Sequence, residues 1–230
     1  LEKDSFNSLK TILSAGSPLR LDVKEKILKS ISENLFELYG FSEGFATMLK
    51  PHDQRKKNSS VGTPVLGFEI KIIDEKGMEC PPNVAGEIAG YGAGMMKEYY
   101  REPELTKNLI WTDNRGRSFI KSGDIGSLDQ DGFLTILDRK KDMIISGGLN
   151  VFPVDIEEVV GKHPDIIDVT VIGVPHDKWG ETCLALIIPK NGVEIDCDEV
   201  KKWCNERLAK HQRLHNVEIR EDFPRNALGK

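Results

Sequence analysis

Between Leu21 and Leu35 the apolar residues Leu21, Val23, Ile27, Leu28, Ile31 and Leu35 recur at mostly three- and four-residue steps, the spacing of one helix face. Asp22 can cap its start. The run passes into Leu35-Phe36-Glu37-Leu38-Tyr39, a strand-like stretch closed by Gly40, so the opening reads as the last α/β unit of something larger. After a polar, basic stretch between Pro51 and Ser60, apolar runs alternate with turns at residues 67–74, 87–91, 119–128 and 133–137. Glu75-Lys76-Gly77, Pro81-Pro82-Asn83 and Gln130-Asp131-Gly132 supply turn chemistry, and the spacing predicts a small antiparallel sheet or barrel.

The pattern changes at Asp138-Arg139-Lys140-Lys141-Asp142, consecutive charges between apolar strands, which places a domain boundary there and divides the chain into residues 1–138 and 139–230. Beyond it, Pro153 suits the first turn of a helix carrying Val154, Ile156, Val159 and Val160. Residues 166–174 and 184–188 read as strands, and 198–208 as a second helix. Helix, strand, strand, helix, strand describes a compact α+β module, so the predicted fold class is α/β followed by α+β.

Composition narrows the function classes. With 39% hydrophobic and 30% charged residues, the 230-residue chain can bury a real core and is neither collagen-like nor disordered. Asp and Glu number 37 against 32 Lys and Arg, so the basic footprint of a nucleic-acid binder is missing. No basic-then-apolar leader and no long apolar run is visible, so neither a signal peptide nor a membrane span is expected and the cytosol is the expected compartment. Cys80, Cys183, Cys197 and Cys204 form no C-x-x-C pair, which favours reduced thiols over a disulfide scaffold or zinc ribbon. His211 and His215 could share a helix face, but no third ligand is near in sequence and no metal site is predicted from them.

Five segments carry candidate chemistry: Ser14-Ala15-Gly16-Ser17-Pro18, Tyr39-Gly40-Phe41-Ser42-Glu43, Lys121-Ser122-Gly123-Asp124, residues 138–148, and Pro224-Arg225-Asn226-Ala227-Leu228-Gly229-Lys230. Glycine beside small polar residues lets a backbone approach a ligand closely, although each segment alone is equally a turn. In this order and separation they resemble the C-terminal part of the adenylate-forming superfamily, which includes acyl-CoA synthetases, aryl-CoA ligases, luciferases and peptide-synthetase adenylation domains. The resemblance runs along essentially the whole chain. It implies that residues 1–138 are the last α/β unit and small β-barrel of the large AMP-binding domain, and residues 139–230 its mobile C-terminal domain.

The resemblance also implies a two-step reaction. A carboxylic acid attacks the α-phosphate of ATP to give an acyl-adenylate and pyrophosphate, then a thiol displaces AMP; Mg²⁺ and coenzyme A are the implied cofactors. By family match Tyr39 stacks on adenine, with Gly40 beside it, and the Ala15-Gly16-Ser17 turn lines the base. Asp124 accepts from the ribose hydroxyls and Arg139 lies on the other side of the ribose. Ser42 reaches the α-phosphate, Glu43 holds Mg²⁺, and Lys230 is the adenylation lysine that meets developing phosphate charge. Lys141 occupies the hinge position, Gly147 and Gly148 approach the pantetheine channel, and Trp179 stands where aryl-CoA ligases contact CoA. Plainer readings stand beside these: a core aromatic for Tyr39, capping or turn acids for Glu43 and Asp124, a solvated linker for the charge run, and a core tryptophan for Trp179.

The superfamily carries a long segment ahead of the position matched by Leu1, including its Ser/Thr/Gly-rich phosphate loop, and usually continues past Lys230. The expectation is a fragment of an AMP-forming fatty-acid or aryl-CoA ligase that cannot complete catalysis alone. An adenylation domain loading a carrier protein, and a non-catalytic nucleotide-binding module of the same fold, are the alternatives.

Overall fold

Two parallel strands open the fold, β1 (Ile12–Ala15) and β2 (Leu35–Gly40), with α1 (Leu21–Ser30) crossing between them. The computed structural model describes Phe6 and residues 8–225. Ala15 pairs with Leu38, so the carboxyl ends of both strands reach the same edge, the side where open α/β sheets bind ligands. Antiparallel β3 (Ala46–Leu49) and β4 (Thr63–Pro64) complete this sheet in the order β1-β2-β3-β4.

The first helix differs from its predicted form. It ends at Ser30, and Leu35 is instead the fully buried first residue of β2. Leu21 and Val23 are exposed, whereas Lys24 is buried. The Lys24 ammonium lies 2.6 Å from Glu37 of β2, with side-chain exposures of 3% and 9%, and donates to the Asn58 carbonyl at 2.5 Å. A charge survives inside only with such a partner and a carbonyl to bond, so the ion pair shares the inward face with Leu28, which is buried as the apolar spacing predicts, and with the half-buried Ile27 and Ile31. Asp22 lies in the first turn and takes a bond from Arg20 Nε at 3.1 Å; the N-cap is Arg20, without a side-chain cap bond.

The predicted antiparallel sheet is present, built from β5 (Phe68–Ile73), β6 (Gly86–Gly92), β7 (Ile110–Thr112), β8 (Ser118–Leu128) and β9 (Leu134–Arg139). Its order is β5-β6-β8-β7, with β9 also on β8. A short α2 (Pro103–Leu109) precedes β7. Phe45, Ile70, Ile72, Ile88 and Leu134 form the main core here, and Ile73, Ala89 and Phe119 a second cluster.

The chain divides into two compact units, the second beginning at Asp138. In this second unit β10 (Ile144–Ser146) and β11 (Leu149–Val151) form a hairpin that the sequence pattern did not predict. There follow α3 (Pro153–Val160), β12 (Ile166–His176), β13 (Gly180–Pro189), α4 (Cys197–Asn205) and β14 (Leu214–Ile219). The sheet order is β11-β10-β13-β12, with β14 parallel to β13. Its core joins Val151, Ile156 and Val160 to Val171, Ala185, Ile187, Val200 and Cys204. His211 sits in a 3₁₀ turn (Lys210–Gln212) and His215 on β14, so the two share no helix face; His215 meets His176 instead, ring centroids 5.3 Å apart. Among the described residues no group of three or more His, Cys, Asp or Glu is arranged to hold a metal ion, and no helix is long and apolar enough to cross a membrane.

Candidate functional site

At the carboxyl edge of β1 and β2 the chain turns twice. Gly16, at φ +89°, takes β1 out of the sheet in a conformation that L side chains rarely adopt, and its neighbours Ala15 and Ser17 are exposed. Gly40 ends β2 where a Cβ would stand 2.3 Å from the Phe45 carbonyl, so only glycine lets the returning strand pass. Between them Phe41 to Phe45 form a tight loop in which Gly44 N donates to Phe41 O at 3.2 Å. The base of the loop is Phe45, 3% exposed, whose ring meets Phe41 at 5.0 Å and Tyr39 at 5.9 Å, edge-on in both cases. That ring fits because residue 90 of β6 is glycine: a Cβ there would lie 1.7 Å from Phe45 Cδ1.

Ser42 is exposed at the loop tip and Glu43 is half-buried. The Tyr99 hydroxyl donates to Glu43 Oε1 at 2.6 Å, and Met96 N donates to the Glu43 carbonyl at 2.8 Å. That bond to a carboxylate, with partial burial, raises the Tyr99 phenol above its ordinary value.

The second sheet supplies the other carboxylate through a bulge. Glu87 pairs with Ile125 and Ala89 with Lys121, so Ser122, Gly123 and Asp124 of β8 stand opposite Ile88 of β6. Gly123 takes φ +75°, the Ser122 hydroxyl donates to Ile88 O at 3.0 Å, and Asp124 N donates back to Ser122 Oγ at 3.0 Å. Aimed this way, Asp124 Oδ2 accepts from the Tyr39 hydroxyl at 2.7 Å. Neither Glu43 nor Asp124 is a helix cap or a solvated turn acid. Each is half-buried and accepts from a tyrosine, and Tyr39, half-buried on β2, packs its ring against the core around Phe45 while its hydroxyl reaches Asp124.

In the second unit Gly147 (φ +58°) and Gly148 (φ +80°) form the two-residue turn of the β10–β11 hairpin, a conformation that requires positive φ at both positions. Gly147 N donates to Trp179 O at 2.9 Å, and a Cβ on Gly147 would meet the indole at 2.9 Å. Trp179 is 47% exposed, with the Lys178 ammonium 4.8 Å from its ring centroid, so it is not a core tryptophan. Arg139 ends β9 and Lys141 is exposed in the turn after it. Asp138 ties this charged segment to α3, accepting from Arg139 N at 2.7 Å and Val154 N at 3.4 Å; burial pushes its carboxyl above the usual range. Lys230 lies outside the described residues.

The first unit thus brings together Ala15 to Ser17, Tyr39, Gly40, Ser42, Glu43 and Asp124, and the second brings together Gly147, Gly148 and Trp179. Sequence reasoning missed Tyr99 and the Phe45–Gly90 fit. Tyr99 stands beside Tyr100 in a stretch without periodicity, and nothing in their order tells which ring turns inward.

A family model described as AMP-binding enzyme matches residues 1–100, and one described as AMP-binding enzyme C-terminal domain matches residues 155–230. A long-chain-fatty-acid–CoA ligase of Salmonella typhimurium is 34% identical over 226 residues, which is 98% of this chain and 39% of that protein. ATP-bound MatB from Rhodopseudomonas palustris superposes with a TM-score of 0.90 at 32% identity, over 100% of this chain and 45% of its own. The o-succinylbenzoate CoA synthetase MenE from Bacillus subtilis, in complex with the acyl-adenylate OSB-AMP, gives 0.85 at 33% identity over 97% and 45%. The chain therefore spans between 39% and 45% of the length of these relatives. Two family models in the expected order, on a fold shared throughout with ATP- and adenylate-bound enzymes, show that the chain belongs to the AMP-binding, adenylate-forming enzymes and matches their C-terminal part.

Proposed function

We propose that the chain is the C-terminal part of an ATP-dependent, AMP-forming acyl-CoA ligase, and that its first unit holds the nucleoside end of ATP. The observation that carries this reading is the Tyr39–Asp124 bond at the carboxyl edge of β1 and β2, which joins an aromatic ring and a carboxylate from two sheets beside the open Gly16 turn. Such a cluster offers a ring to stack on a base and an acceptor for paired ribose hydroxyls. The names of the relatives support coenzyme A as acceptor and a carboxylic acid as the other substrate.

In this reading Asp124 and Arg139 serve the ribose, Ser42 the α-phosphate, and Lys230 the negative charge that grows there as the substrate carboxylate attacks phosphorus and pyrophosphate leaves. Glu43 fits Mg²⁺: it is one hard-oxygen donor with Oε1 engaged, suited to an ion whose other ligands are phosphate and water. When bound, the ion would neutralise charge on the phosphates. Lys141 is assigned the hinge, and Gly147, Gly148 and Trp179 the pantetheine end of coenzyme A. Displacement of AMP by the thiol then gives the thioester. The test is pyrophosphate–ATP exchange by the intact enzyme across a panel of carboxylic acids, followed by thioester formation with CoA. Nucleotide binding without exchange for any acid would favour the non-catalytic module instead.

A further inference from the structure

We infer that Tyr99 is a positioning residue for Glu43, fixing the carboxylate that the Proposed function assigns to Mg²⁺; the inference rests on that assignment. The two residues are 56 apart in sequence, yet the Tyr99 hydroxyl reaches Glu43 Oε1 at 2.6 Å. A second bond, from Met96 N to Glu43 O at 2.8 Å, comes from the same segment, so one stretch of chain holds Glu43 by backbone and by side chain.

Tyr99 is itself anchored. Its N–H donates to Thr106 Oγ1 at 2.9 Å, its carbonyl accepts from Glu102 N at 3.1 Å, and Thr106 Oγ1 donates to Glu102 O at 3.1 Å. These bonds tie it to the first turn of α2, a helix that buries none of its residues. A helix contributing nothing to the core, bonded to a tyrosine that grips a loop carboxylate, is explained by what it holds in place. A glutamate has several rotatable bonds and would sample many positions at a loop; with Oε1 occupied by a phenol, Oε2 is left for a second ligand in one orientation.

The test uses the intact ligase and three variants: Tyr99→Phe, Glu43→Gln and the double. Two quantities are read, the Mg²⁺ concentration that half-saturates pyrophosphate–ATP exchange and the affinity for Mn²⁺ in the presence of ATP by electron paramagnetic resonance. Tyr99→Phe removes one oxygen, and loss of a hydrogen bond to a charged acceptor should weaken both by roughly tenfold or more. The change in turnover at saturating metal should be smaller, and the KM for the carboxylic acid unmoved. Because Tyr99 acts through Glu43, its effect should nearly vanish in the Glu43→Gln background. Unchanged metal dependence in Tyr99→Phe, or an equal shift in both backgrounds, overturns the inference while the assignment of Glu43 stands. A metal dependence untouched by Glu43→Gln overturns both. Should Tyr99→Phe melt early, Thr106→Val keeps the phenol and removes its backbone anchor; a weaker shift in the same direction is expected, and none refutes the argument.

Discussion

Gly90→Ala would add one methyl group on β6, outside the loop that carries Ser42 and Glu43, and should cripple adenylation. The added Cβ would stand 1.7 Å from Phe45 Cδ1 and 2.3 Å from Cγ. Carbon atoms in contact sit about 3.5–4 Å apart, so the ring must withdraw by roughly 2 Å. Phe45 is 3% exposed and braced edge-on by Tyr39 and Phe41, so the ring cannot swing into solvent without dragging the loop. Overpacking of this kind costs about 1–3 kcal/mol, a fall of several degrees in Tm. The rate should suffer more than the stability, because a displacement of about 1 Å at a reacting centre can cost on the order of a hundredfold. The assay is pyrophosphate–ATP exchange per folded molecule, with a melting curve, on Gly90→Ala and on Gly90→Ala with Phe45→Leu, which returns space to the site. Partial recovery in the double variant is expected. Wild-type exchange in Gly90→Ala, or lost stability with an unchanged rate, would refute the idea that Phe45 sets the loop.

Asp124→Ala should raise the KM for ATP about ten- to a hundredfold, the equivalent of about 1.5–3 kcal/mol for a bond to a charged acceptor; an unchanged KM removes Asp124 from the nucleotide site. Lys141→Pro fixes φ near -65° and should slow thioester formation more than adenylation at unchanged Tm, as single-turnover rates would show; equal losses in both refute the hinge. Burial pushes the Cys183 and Cys204 thiols from 9.0 up to about 11. The unfolded chain releases these protons first, so their contribution to stability is complete below about pH 9 and declines toward pH 11, by at most about 1.4 kcal/mol per pH unit for each thiol. Urea titrations across that range check the slope, and a flat profile would show that the thiols ionise alike in both states.

Long, strongly patterned segments were legible before the structure. The runs at 67–74 and 119–128 became β5 and β8, and Pro153 does open α3. What failed did so for local reasons. The apolar spacing from Leu21 ran through two elements, because Leu35 continues the helical count by chance while belonging to β2, and a buried Lys24 is invisible to a hydrophobic count. The β10–β11 hairpin has three residues per strand, too few for alternation, and α2 buries nothing and so has no apolar stripe. In the site, glycines and the Tyr39 and Asp124 positions could be picked out as motifs, but the bonds that orient them could not. Tyr39 and Asp124 are 85 residues apart, Glu43 and Tyr99 56, and pairing at such distances is a property of the assembled sheets.

The bulge at Ser122–Gly123–Asp124 has a consequence for how the sheet assembles. A plain antiparallel strand can slide along its partner by two residues and keep the same side chains facing inward, which makes such slippage an easy error. β8 cannot, since only one alignment puts its surplus residues opposite Ile88, where the Ser122 hydroxyl finds its carbonyl. It also changes neighbours along its length, pairing with β7 through residues 118–120 and lying against Thr135 of β9 at Gly126. A slip of two would carry Asp124 roughly 6–7 Å from the Tyr39 hydroxyl. If Asp124 serves the nucleotide as proposed, a molecule that zips out of step should be inert rather than imprecise, and the fraction of a preparation that takes up nucleotide would double as a measure of how much of it has paired its strands correctly.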